Sequence, residues 1–375
     1  MQGLDAIETP ALLLEEIKLE ANLARLREVL SAWPQVELRP HMKSAKSLAV
    51  ARRVLPAGGP ITVSTLAEAE YFADHGFDDI LYAVGLAPSK IDRAASLAAR
   101  VSRLGVILDS REAAAALAAA APGFEGRLRV LIEIDSDGHR SGLRPDDPHL
   151  LEVGEVLAEA GLLGGVLTHA GESYGSRNFD DLKRFARLER DQAVLAADRL
   201  RAGGLECKTV SIGSTPTALF AQDLAGVTEM RAGVYMFQDL VMAGAGVCRP
   251  EDIALSVLCE VIGHQADRGW VVVDAGWMAL SRDRGTQRQA VDQGYGLICD
   301  MQGRLIDDLV VINANQEHGV IARRDGGPLQ SSDFPVGARL RILPNHACAT
   351  AAQHKAYALV RDGRVVDHWE RFAGW

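Results

Sequence analysis

The chain has 375 residues, of which 48% are hydrophobic and 24% charged, a composition typical of a globular protein with one large domain and a smaller one. The formal net charge is −10, from 40 Lys and Arg against 50 Asp and Glu, and no basic tract occurs. These features argue against nucleic acid or an anionic membrane as a partner, so the expected partner is a small molecule.

The N-terminal sequence, Met-Gln-Gly-Leu-Asp-Ala-Ile-Glu-Thr-Pro, has neither the basic nor the apolar segment of a secretory signal. No run approaches the length of a membrane span. The five cysteines have no C-x-x-C spacing, and their odd number argues against a disulfide framework. We therefore expect a cytoplasmic protein.

Residues Val36–Lys46, Val-Glu-Leu-Arg-Pro-His-Met-Lys-Ser-Ala-Lys, combine a short strand with a candidate reactive amine. The alternating run at the start predicts a strand that stops at Pro40, and a helix is predicted from Ser44 onward. Lys43 then lies at the carboxyl end of a strand, where α/β folds place their chemistry. The cationic and imidazole neighbours favour a neutral, nucleophilic amine at Lys43, with Lys46 as the rival. An ordinary solvated lysine is the alternative.

The segment Arg39–Lys46 resembles the pyridoxal-phosphate lysine motif Arg-Pro-His-x-Lys-x-His-Lys of the D-threonine aldolase and D-serine dehydratase family. Ala45 stands where most members carry His, and a small residue there is associated with the D-threo-3-hydroxyaspartate dehydratase branch. The resemblance spans nearly the whole chain. It implies that Lys43 holds pyridoxal 5'-phosphate in an alanine racemase-like fold of type III.

Eight short apolar runs, alternating with helical segments such as Ser110–Ala121 and Phe179–Ala202, predict a (β/α)8 TIM barrel in an α/β protein. An open, doubly wound sheet is the alternative, but no G-x-G-x-x-G follows the first run. The runs are Val36–Arg39, Ile61–Ser64, Ile80–Val84, Val106–Asp109, Leu128–Asp135, Gly165–His169, Thr209–Ile212 and Thr228–Arg231.

Beyond about residue 248 the pattern changes to strands separated by Gly and Asp turns. We therefore predict a pyridoxal-phosphate-binding barrel over residues 12–248. Residues 249–375, together with residues 1–11, are predicted to form a mainly β, metal-binding domain. The strands expected in this domain are Ala254–Ile262, Trp270–Asp274, Leu297–Met301, Leu309–Asn313, Arg339–Leu343, Ala356–Val360 and Arg364–Trp369.

Two loops of small residues follow the seventh and eighth strand runs and predict a phosphate site. Gly213, Ser214 and Thr215 follow the seventh run, and Gly233 and Tyr235 follow the eighth. Loops at these positions of a barrel commonly bind phosphate, because small residues let backbone N–H groups approach the oxygens. A plain loop is the alternative, and the resemblance points to the same residues.

Three more residues are cofactor neighbours through the resemblance. Arg140 matches an arginine near the cofactor's phenolic oxygen, where it would keep that oxygen ionised, and His169 and Tyr174 match positions of rings against the cofactor. The segment Gly171–Gly175 is also a formal G-x-S-x-G, but no helix starts directly after it, which argues against a serine hydrolase. The calcium-loop-like start at Asp135 lacks the downstream Glu of such loops.

The segment Leu343-Pro-Asn-His-Ala-Cys348 supplies a candidate metal pair. In an extended segment, residues i and i+2 point to the same side, so His346 and Cys348 can ligate one divalent ion. Two protein ligands suit a catalytic metal with open positions better than a closed structural zinc site. Structural packing is the alternative. The resemblance implies that this is the family's metal motif, with zinc, manganese or magnesium as the ion, and Asn315–Gly319 resembles the family's Glu-Glu-His-Gly segment.

The resemblance implies a dehydratase of small D-3-hydroxy amino acids, which converts D-threo-3-hydroxyaspartate to oxaloacetate and ammonia, or D-serine to pyruvate and ammonia. Cys348 at the second metal position favours dehydration over the retro-aldol cleavage of D-threonine aldolases, and a non-catalytic pyridoxal-phosphate protein is a further alternative. A second substrate carboxylate would need a cation, for which Arg282, Arg284 and His318 are candidates. We expect a homodimer in which the β domain of one chain covers the barrel mouth of the other.

Overall fold

A computed structural model describes residues 2–375, which form two compact units. The first comprises Leu26–Gly233 with Gly374–Trp375, and we call it the α/β unit. The second comprises residues 2–25 with Val234–Ala373, and we call it the β unit.

The segments on either side of the α/β unit bond within the β unit. The side-chain amide of Asn22 donates to the carbonyl oxygens of Met236 and Asp252, at 3.2 and 3.0 Å. The backbone N–H of Ala254 donates to Phe237 O at 2.7 Å. The start of the first helix and the segment after Gly233 therefore group with the β unit.

The strands of residues 2–375 alternate with helices in the α/β unit and follow one another in the β unit. They are β1 (Gln2–Gly3), β2 (Ala11–Glu15), β3 (Glu37–Leu38), β4 (Ile61–Val63), β5 (Asp79–Gly85), β6 (Arg103–Leu108), β7 (Leu128–Ile134), β8 (Leu163–Thr168), β9 (Thr209–Ile212), β10 (Glu229–Met230), β11 (Leu255–Gln265), β12 (Trp270–Val273), β13 (Leu297–Cys299), β14 (Leu305–Ala314), β15 (Gly319–Arg323), β16 (Arg339–Leu343), β17 (Ala356–Arg361) and β18 (Arg364–Glu370).

The α-helices include the two that the sequence predicted most clearly, α5 and α7. They are α1 (Glu16–Ser31), α2 (Leu48–Val54), α3 (Leu66–Asp74), α4 (Ile91–Ala98), α5 (Arg111–Ala120), α6 (His149–Glu159), α7 (Phe179–Ala202), α8 (Thr215–Leu219), α9 (Leu240–Gly244), α10 (Trp277–Leu280) and α11 (Ala347–Ala351). Among residues 2–375, every helix is too short or too polar to span a lipid bilayer.

The strands of the α/β unit form one parallel sheet in the order β3-β10-β9-β8-β7-β6-β5-β4. Each of the eight predicted runs overlaps one of these strands, which confirms the alternating parallel architecture. An isolated parallel bridge pairs His41 with Thr62, and Thr62 N donates to Pro40 O at 2.9 Å. The chain just beyond β3 thus pairs with β4, the strand at the other end of the order.

An apolar cluster of four leucine and isoleucine side chains lies on this sheet, contributed by β5, β6, β7 and β8. Its members are Leu81, Ile107, Leu131 and Leu167. Gly105 leaves room for this cluster, because a Cβ there would lie 2.7 Å from Leu81 Cδ1. Large branched side chains from successive strands are the usual filling of such a sheet.

A buried ion network joins β3, β10 and β5. Arg39 Nε donates to Glu229 Oε2 at 2.6 Å, and Arg39 Nη1 donates to Asp79 Oδ1 at 2.9 Å. The side chains of Arg39 and Glu229 are only 6% and 7% exposed, so neither charge is solvated by bulk water. The network fixes the strand that leads to Lys43.

The strands of the β unit form a second sheet in the order β1-β18-β17-β2-β11-β12-β15-β14-β13-β16, with β11 also paired to β16. Its pairs are antiparallel except β17 with β2. Each strand expected after residue 248 overlaps one that is present. The sequence prediction omitted β15, whose short Val-Ile-Ala core follows the turn Asn315–His318.

Replacing Arg39 by Met should strongly destabilise the α/β unit, because Glu229 and Asp79 would lose their buried cation. We expect the free energy of unfolding to fall by about 3–5 kcal/mol in urea titrations. The matched control is Arg93→Met, since Arg93 makes an exposed ion pair with Glu70 at 2.8 Å, and its loss should cost at most about 1 kcal/mol. Equal losses in the two variants would contradict the role of the network.

Candidate active site

Lys43 lies at the carboxyl end of β3, within a single turn of 3-10 helix, Met42–Ser44. The ring of His41 caps this turn by accepting from Lys43 N at 3.4 Å, and the Lys43 side chain is exposed. The rival amine, Lys46, lies 5.7 Å from the ring centroid of Trp375. The helix predicted from Ser44 begins at Leu48, because Lys46 adopts a positive φ of 45° that interrupts helical geometry.

Five cationic or imidazole side chains lie close to one another in the α/β unit. Burial lowers the pKa of His41 well below its usual value, and the charges of Lys43 and Arg231 lower it further. Burial also lowers the pKa of His169 to about 3, with Lys43, Arg231 and Arg140 acting in the same direction. Both imidazoles are therefore neutral at pH 7. Such a cluster fits an anionic cofactor that carries a phosphate and a phenolate.

Arg231 is the member of this cluster that the sequence did not single out. It is buried, its Nε donates to Ser211 Oγ at 2.8 Å, and its Nη2 donates to the carbonyl oxygen of Thr168. Burial lowers its pKa from the usual arginine value, whereas the carboxylates of Glu229 and Glu189 oppose that shift. Its place at the end of the eighth strand run was the available sequence signal.

The predicted phosphate loop after β9 is held by a buried carboxylate. Glu189, in the middle of α7, accepts from Gly213 N at 3.1 Å and Ala170 N at 2.9 Å, and from the Thr217 hydroxyl. Gly213 has a φ of 146°, and a Cβ there would lie 1.8 Å from Arg231 O, so no other residue fits. The available sequence signal for Glu189 was that it is a charged residue on the face of α7 that the helical pattern predicts to be buried.

Two of the predicted phosphate-binding hydroxyls are buried in this loop. Ser214 Oγ lies 2.8 Å from Ser173 Oγ and 2.9 Å from Thr217 Oγ1, and it caps α8 by accepting from Thr217 N. Thr215 is also buried, as the first residue of α8. Ser214 thus shapes the loop through protein contacts.

The loop after β10 contains the other two predicted phosphate residues. A Cβ on Gly233 would lie 2.7 Å from Ser44 Oγ and 2.9 Å from His41 O, so glycine lets this loop approach the Lys43 turn. Tyr235 is buried and belongs to the β unit, whereas Gly233 is the last residue of its segment in the α/β unit.

The loops after β7 and β8 carry the remaining predicted cofactor neighbours. Arg140 is about half exposed, and its Nη2 lies 3.4 Å from Glu133 Oε1. The rings of His169 and Tyr174 have centroids 6.0 Å apart, and His169 Nδ1 lies 2.9 Å from Gly213 O. These side chains thus form part of the surroundings of the predicted phosphate loop.

The serine of the formal G-x-S-x-G is unsuited to nucleophilic attack. Ser173 is buried, and its hydroxyl donates to Ala170 O at 2.7 Å. Gly171–Gly175 is a 3-10 turn, and the next helix begins only at Phe179. A nucleophile elbow requires an exposed hydroxyl on a direct strand-to-helix turn.

His346 and Cys348 are brought together in the β unit, although the local geometry differs from the extended segment we expected. His346 is the extended N-cap residue of α11, and Cys348 lies in the first turn of that helix. Their side chains nevertheless hydrogen-bond to each other. Within residues 2–375, no group of three or more His, Cys, Asp and Glu side chains surrounds one metal position.

Asp283 holds the imidazole of His346 from behind. His346 Nδ1 lies 2.6 Å from Asp283 Oδ2. Burial alone would lower the pKa of His346, but its hydrogen bonds with Asp283 and Cys348 raise it to about 11, and the Asp239 carboxylate contributes to the rise. This negative surrounding fits a divalent cation, and a carboxylate on one ring nitrogen leaves the other for a metal.

Asp239 fixes the backbone around the pair. Its buried carboxylate accepts from Ala347 N and from Met242 N, each at 2.9 Å. Burial raises the pKa of Asp239, while the nearby His346 opposes the rise. Sequence reasoning missed Asp239 and Asp283 because each is far from His346 in the chain.

The Asn315–Gly319 segment forms the turn between β14 and β15. Trp277 N donates to Asn315 O at 2.8 Å, and Met278 N donates to Gln316 O at 3.1 Å. The turn therefore anchors α10, the helix that precedes Asp283.

Comparisons with known proteins match most of the chain. Residues 16–240 match the model of the alanine racemase N-terminal domain, and residues 254–360 match that of a putative serine dehydratase domain. The chain is 54% identical to D-threo-3-hydroxyaspartate dehydratase of Delftia sp. (strain HT23), over 98% of each chain. It is 29% identical to D-serine dehydratase of Dictyostelium discoideum, again over 98% of each.

The chain belongs to the D-threonine aldolase and D-serine dehydratase family. Two solved variants of D-threo-3-hydroxyaspartate dehydratase are 52% identical to this family member and cover it completely. One replaces a cysteine by alanine and is metal-free, with a TM-score of 0.96 and full coverage of that chain. The other replaces a histidine two positions earlier, with a TM-score of 0.97 and 98% coverage of that chain.

Replacing Asp283 by Asn should weaken metal binding, because the amide no longer fixes the His346 ring or increases its basicity. We expect zinc affinity, measured by competition with a chelator, to fall by about 10- to 100-fold. Asp292→Asn is the matched control, since Asp292 pairs with Arg284 at 2.5 Å and should leave the affinity unchanged. An unchanged affinity in Asp283→Asn would refute this role.

Proposed function

We propose that this family member is a pyridoxal-phosphate- and divalent-metal-dependent dehydratase of D-3-hydroxy amino acids. Its substrate is D-threo-3-hydroxyaspartate, which yields oxaloacetate and ammonia, or D-serine, which yields pyruvate and ammonia. The observation that carries the proposal is the full-length 54% identity to D-threo-3-hydroxyaspartate dehydratase.

The residues that would hold pyridoxal phosphate belong to the positive cluster and its loops. Lys43 would bond it covalently, and its phosphate would lie against the loops that contain Gly213, Ser214 and Thr215 and then Gly233 and Tyr235. Arg140 would face the phenolic oxygen, with His169 and Tyr174 against the ring. When bound, the cofactor supplies an electron sink that acidifies the α-proton of an attached amino acid.

Lys43 is the base that removes the α-proton, because its amine is exposed and sits on a rigid turn between β3 and α2. The lowered pKa values of His41 and His169 make both imidazoles weak bases, so neither competes with Lys43 for the α-proton. Arg231 maintains positive charge within the same cluster.

His346 and Cys348 would hold the divalent ion, with zinc, manganese or magnesium as candidates. When bound, the ion acts as a Lewis acid on the substrate's β-hydroxyl, which is otherwise a poor leaving group. The two solved variants of the dehydratase support this assignment, because their histidine and cysteine have the same order and spacing as His346 and Cys348. Asp283 orients the imidazole.

The larger arrangement follows from the same family. The pairing of His41 with Thr62 supports a closed (β/α)8 barrel, with residues 12–248 as the cofactor domain and residues 249–375 with 1–11 as the metal domain. Among residues 2–375 no disulfide joins any of the five cysteines, which supports a reducing, cytoplasmic location.

Product analysis tests the function directly. With D-threo-3-hydroxyaspartate and D-serine, the metal-loaded enzyme should release equal amounts of keto acid and ammonia, and a chelator should stop this release by more than about 100-fold. A Lys43→Ala variant should lose both turnover and the visible absorption of the bound cofactor. Release of glycine and an aldehyde would instead identify an aldolase. If the enzyme released neither set of products, the proposal of a lyase would be refuted.

We also propose that the active form is a homodimer with residues of both chains at each site. The cofactor would lie at the open carboxyl ends of the strands, where solvent water has access. A cover supplied by the partner subunit would exclude that water from the reacting carbon. Mixing equal amounts of Lys43→Ala and His346→Ala proteins under subunit exchange should restore activity in about a quarter of all sites, because about half of the dimers are then mixed and each mixed dimer has one intact site of two. No recovery in a mixture that has exchanged subunits would contradict shared sites.

A further inference from the structure

Arg282 carries a positive charge in the β unit that no carboxylate of the described residues pairs with. Its side chain is exposed, and within residues 2–375 it takes part in no ion pair and no side-chain hydrogen bond. Its guanidinium lies over the Trp277 ring, 5.4 Å from the centroid. Stacking leaves the edge of a guanidinium free to donate to a planar anion.

The backbone next to Arg282 is held in an unusual conformation. Ser281 ends α10 with a φ of 72° and a ψ of 168°, values that a residue with a side chain rarely adopts. Ser281 N donates to Trp277 O at 2.8 Å, and its hydroxyl accepts from Asp283 N at 3.2 Å. Strain of this kind persists where the surrounding structure imposes it, often at a functional site.

The same segment is tied to the metal pair on both sides. The Thr350 hydroxyl donates to Leu280 O at 2.8 Å, which joins α10 to the helix that contains Cys348. On the other side of Arg282, Asp283 holds the His346 ring at 2.6 Å. Arg282 is therefore the residue directly before the carboxylate that orients the predicted metal ligand.

The structure of the proposed substrate indicates where a residue that binds its distal carboxylate must lie. In D-threo-3-hydroxyaspartate, the leaving hydroxyl and the distal carboxylate are attached to the same carbon. A group that recognises the distal carboxylate must therefore lie beside whatever binds the hydroxyl. Arg284 is the other arginine candidate. Its guanidinium pairs with Asp292 at 2.5 Å and lies over the Tyr295 ring, so its charge is already compensated.

We propose that Arg282 is the specificity-determining residue that binds the distal carboxylate of a dicarboxylic D-3-hydroxy amino acid. This inference rests on the proposed function, because it assumes that the hydroxyl is drawn to the His346–Cys348 pair. It selects D-threo-3-hydroxyaspartate over D-serine, in which a hydrogen replaces that carboxylate.

The test compares Arg282→Gln, Arg282→Lys and a matched control in the metal-loaded holoenzyme. The control is Arg268→Gln, since Arg268 is also exposed and lies over a tryptophan ring in the β unit, 4.7 Å from the Trp270 centroid. For Arg282→Gln, kcat/KM with D-threo-3-hydroxyaspartate should fall by about 30-fold or more, with D-serine changed by less than about twofold. Arg282→Lys should recover part of the loss, and Arg268→Gln should resemble the wild type.

A binding measurement separates this inference from the proposed function. D-Aspartate carries the distal carboxylate but no hydroxyl, so its binding can be followed through the cofactor's absorption without dehydration, with D-alanine as the reference. Arg282→Gln should weaken D-aspartate binding by a similar factor and leave D-alanine binding unchanged.

Equal losses for both substrates, or unchanged D-aspartate binding in Arg282→Gln, would overturn the assignment of Arg282. If the wild type dehydrated neither substrate, the proposed function would fail, and the comparison of D-aspartate with D-alanine would still decide whether Arg282 binds the carboxylate.

Discussion

The buried ion pairs of Arg39 hold the strand on which the rest of the candidate cofactor site depends. This guanidinium lies directly after β3 and bonds Glu229 of β10 and Asp79 of β5, so one charge links three strands. The Lys43 turn follows β3 directly, and Arg231 with the Gly233 loop follows β10. A lysine on a flexible loop would not keep a fixed direction, whereas this network gives Lys43 a rigid base.

Electrostatics divide the proposed chemistry between the two units. In the α/β unit, desolvation keeps His41 and His169 neutral beside Lys43 and two arginines, an environment that attracts an anionic cofactor. In the β unit, the carboxylates of Asp283 and Asp239 lie near His346, an environment that attracts a cation. Each half-site therefore carries the charge opposite to that of the group it would bind, and each is positioned by a buried carboxylate.

The sequence predicted the periodic features of the fold better than the contacts of the site. All eight runs of the parallel sheet and the helix Phe179–Ala202 are present because strand alternation and helical periodicity are local signals. The predicted start of α2 at Ser44 was wrong, because Lys46 adopts a left-handed backbone conformation and the helix begins only at Leu48. No local sequence pattern predicts this conformation. Likewise, Cys348 lies in a helix rather than in the expected extended segment, although it still meets His346.

The positioning carboxylates could not be found from sequence patterns, because each acts on residues distant in the chain. Glu189 bonds the backbone of Gly213, 24 residues away, and Asp283 bonds His346, 63 residues away. Only folding brings such partners together. Their burial or pairing then becomes visible as a pKa displaced from the ordinary value.

The central claim is that Lys43 removes the α-proton while the His346–Cys348 pair serves only departure of the hydroxyl. Exchange of the α-proton of D-threo-3-hydroxyaspartate in D2O, followed by NMR alongside keto acid release, tests this claim in metal-depleted holoenzyme. We expect α-proton exchange to continue while keto acid release stops, and added zinc to restore the release. Loss of both processes on metal removal, with the cofactor still bound, would contradict it, as would keto acid release that continues without metal.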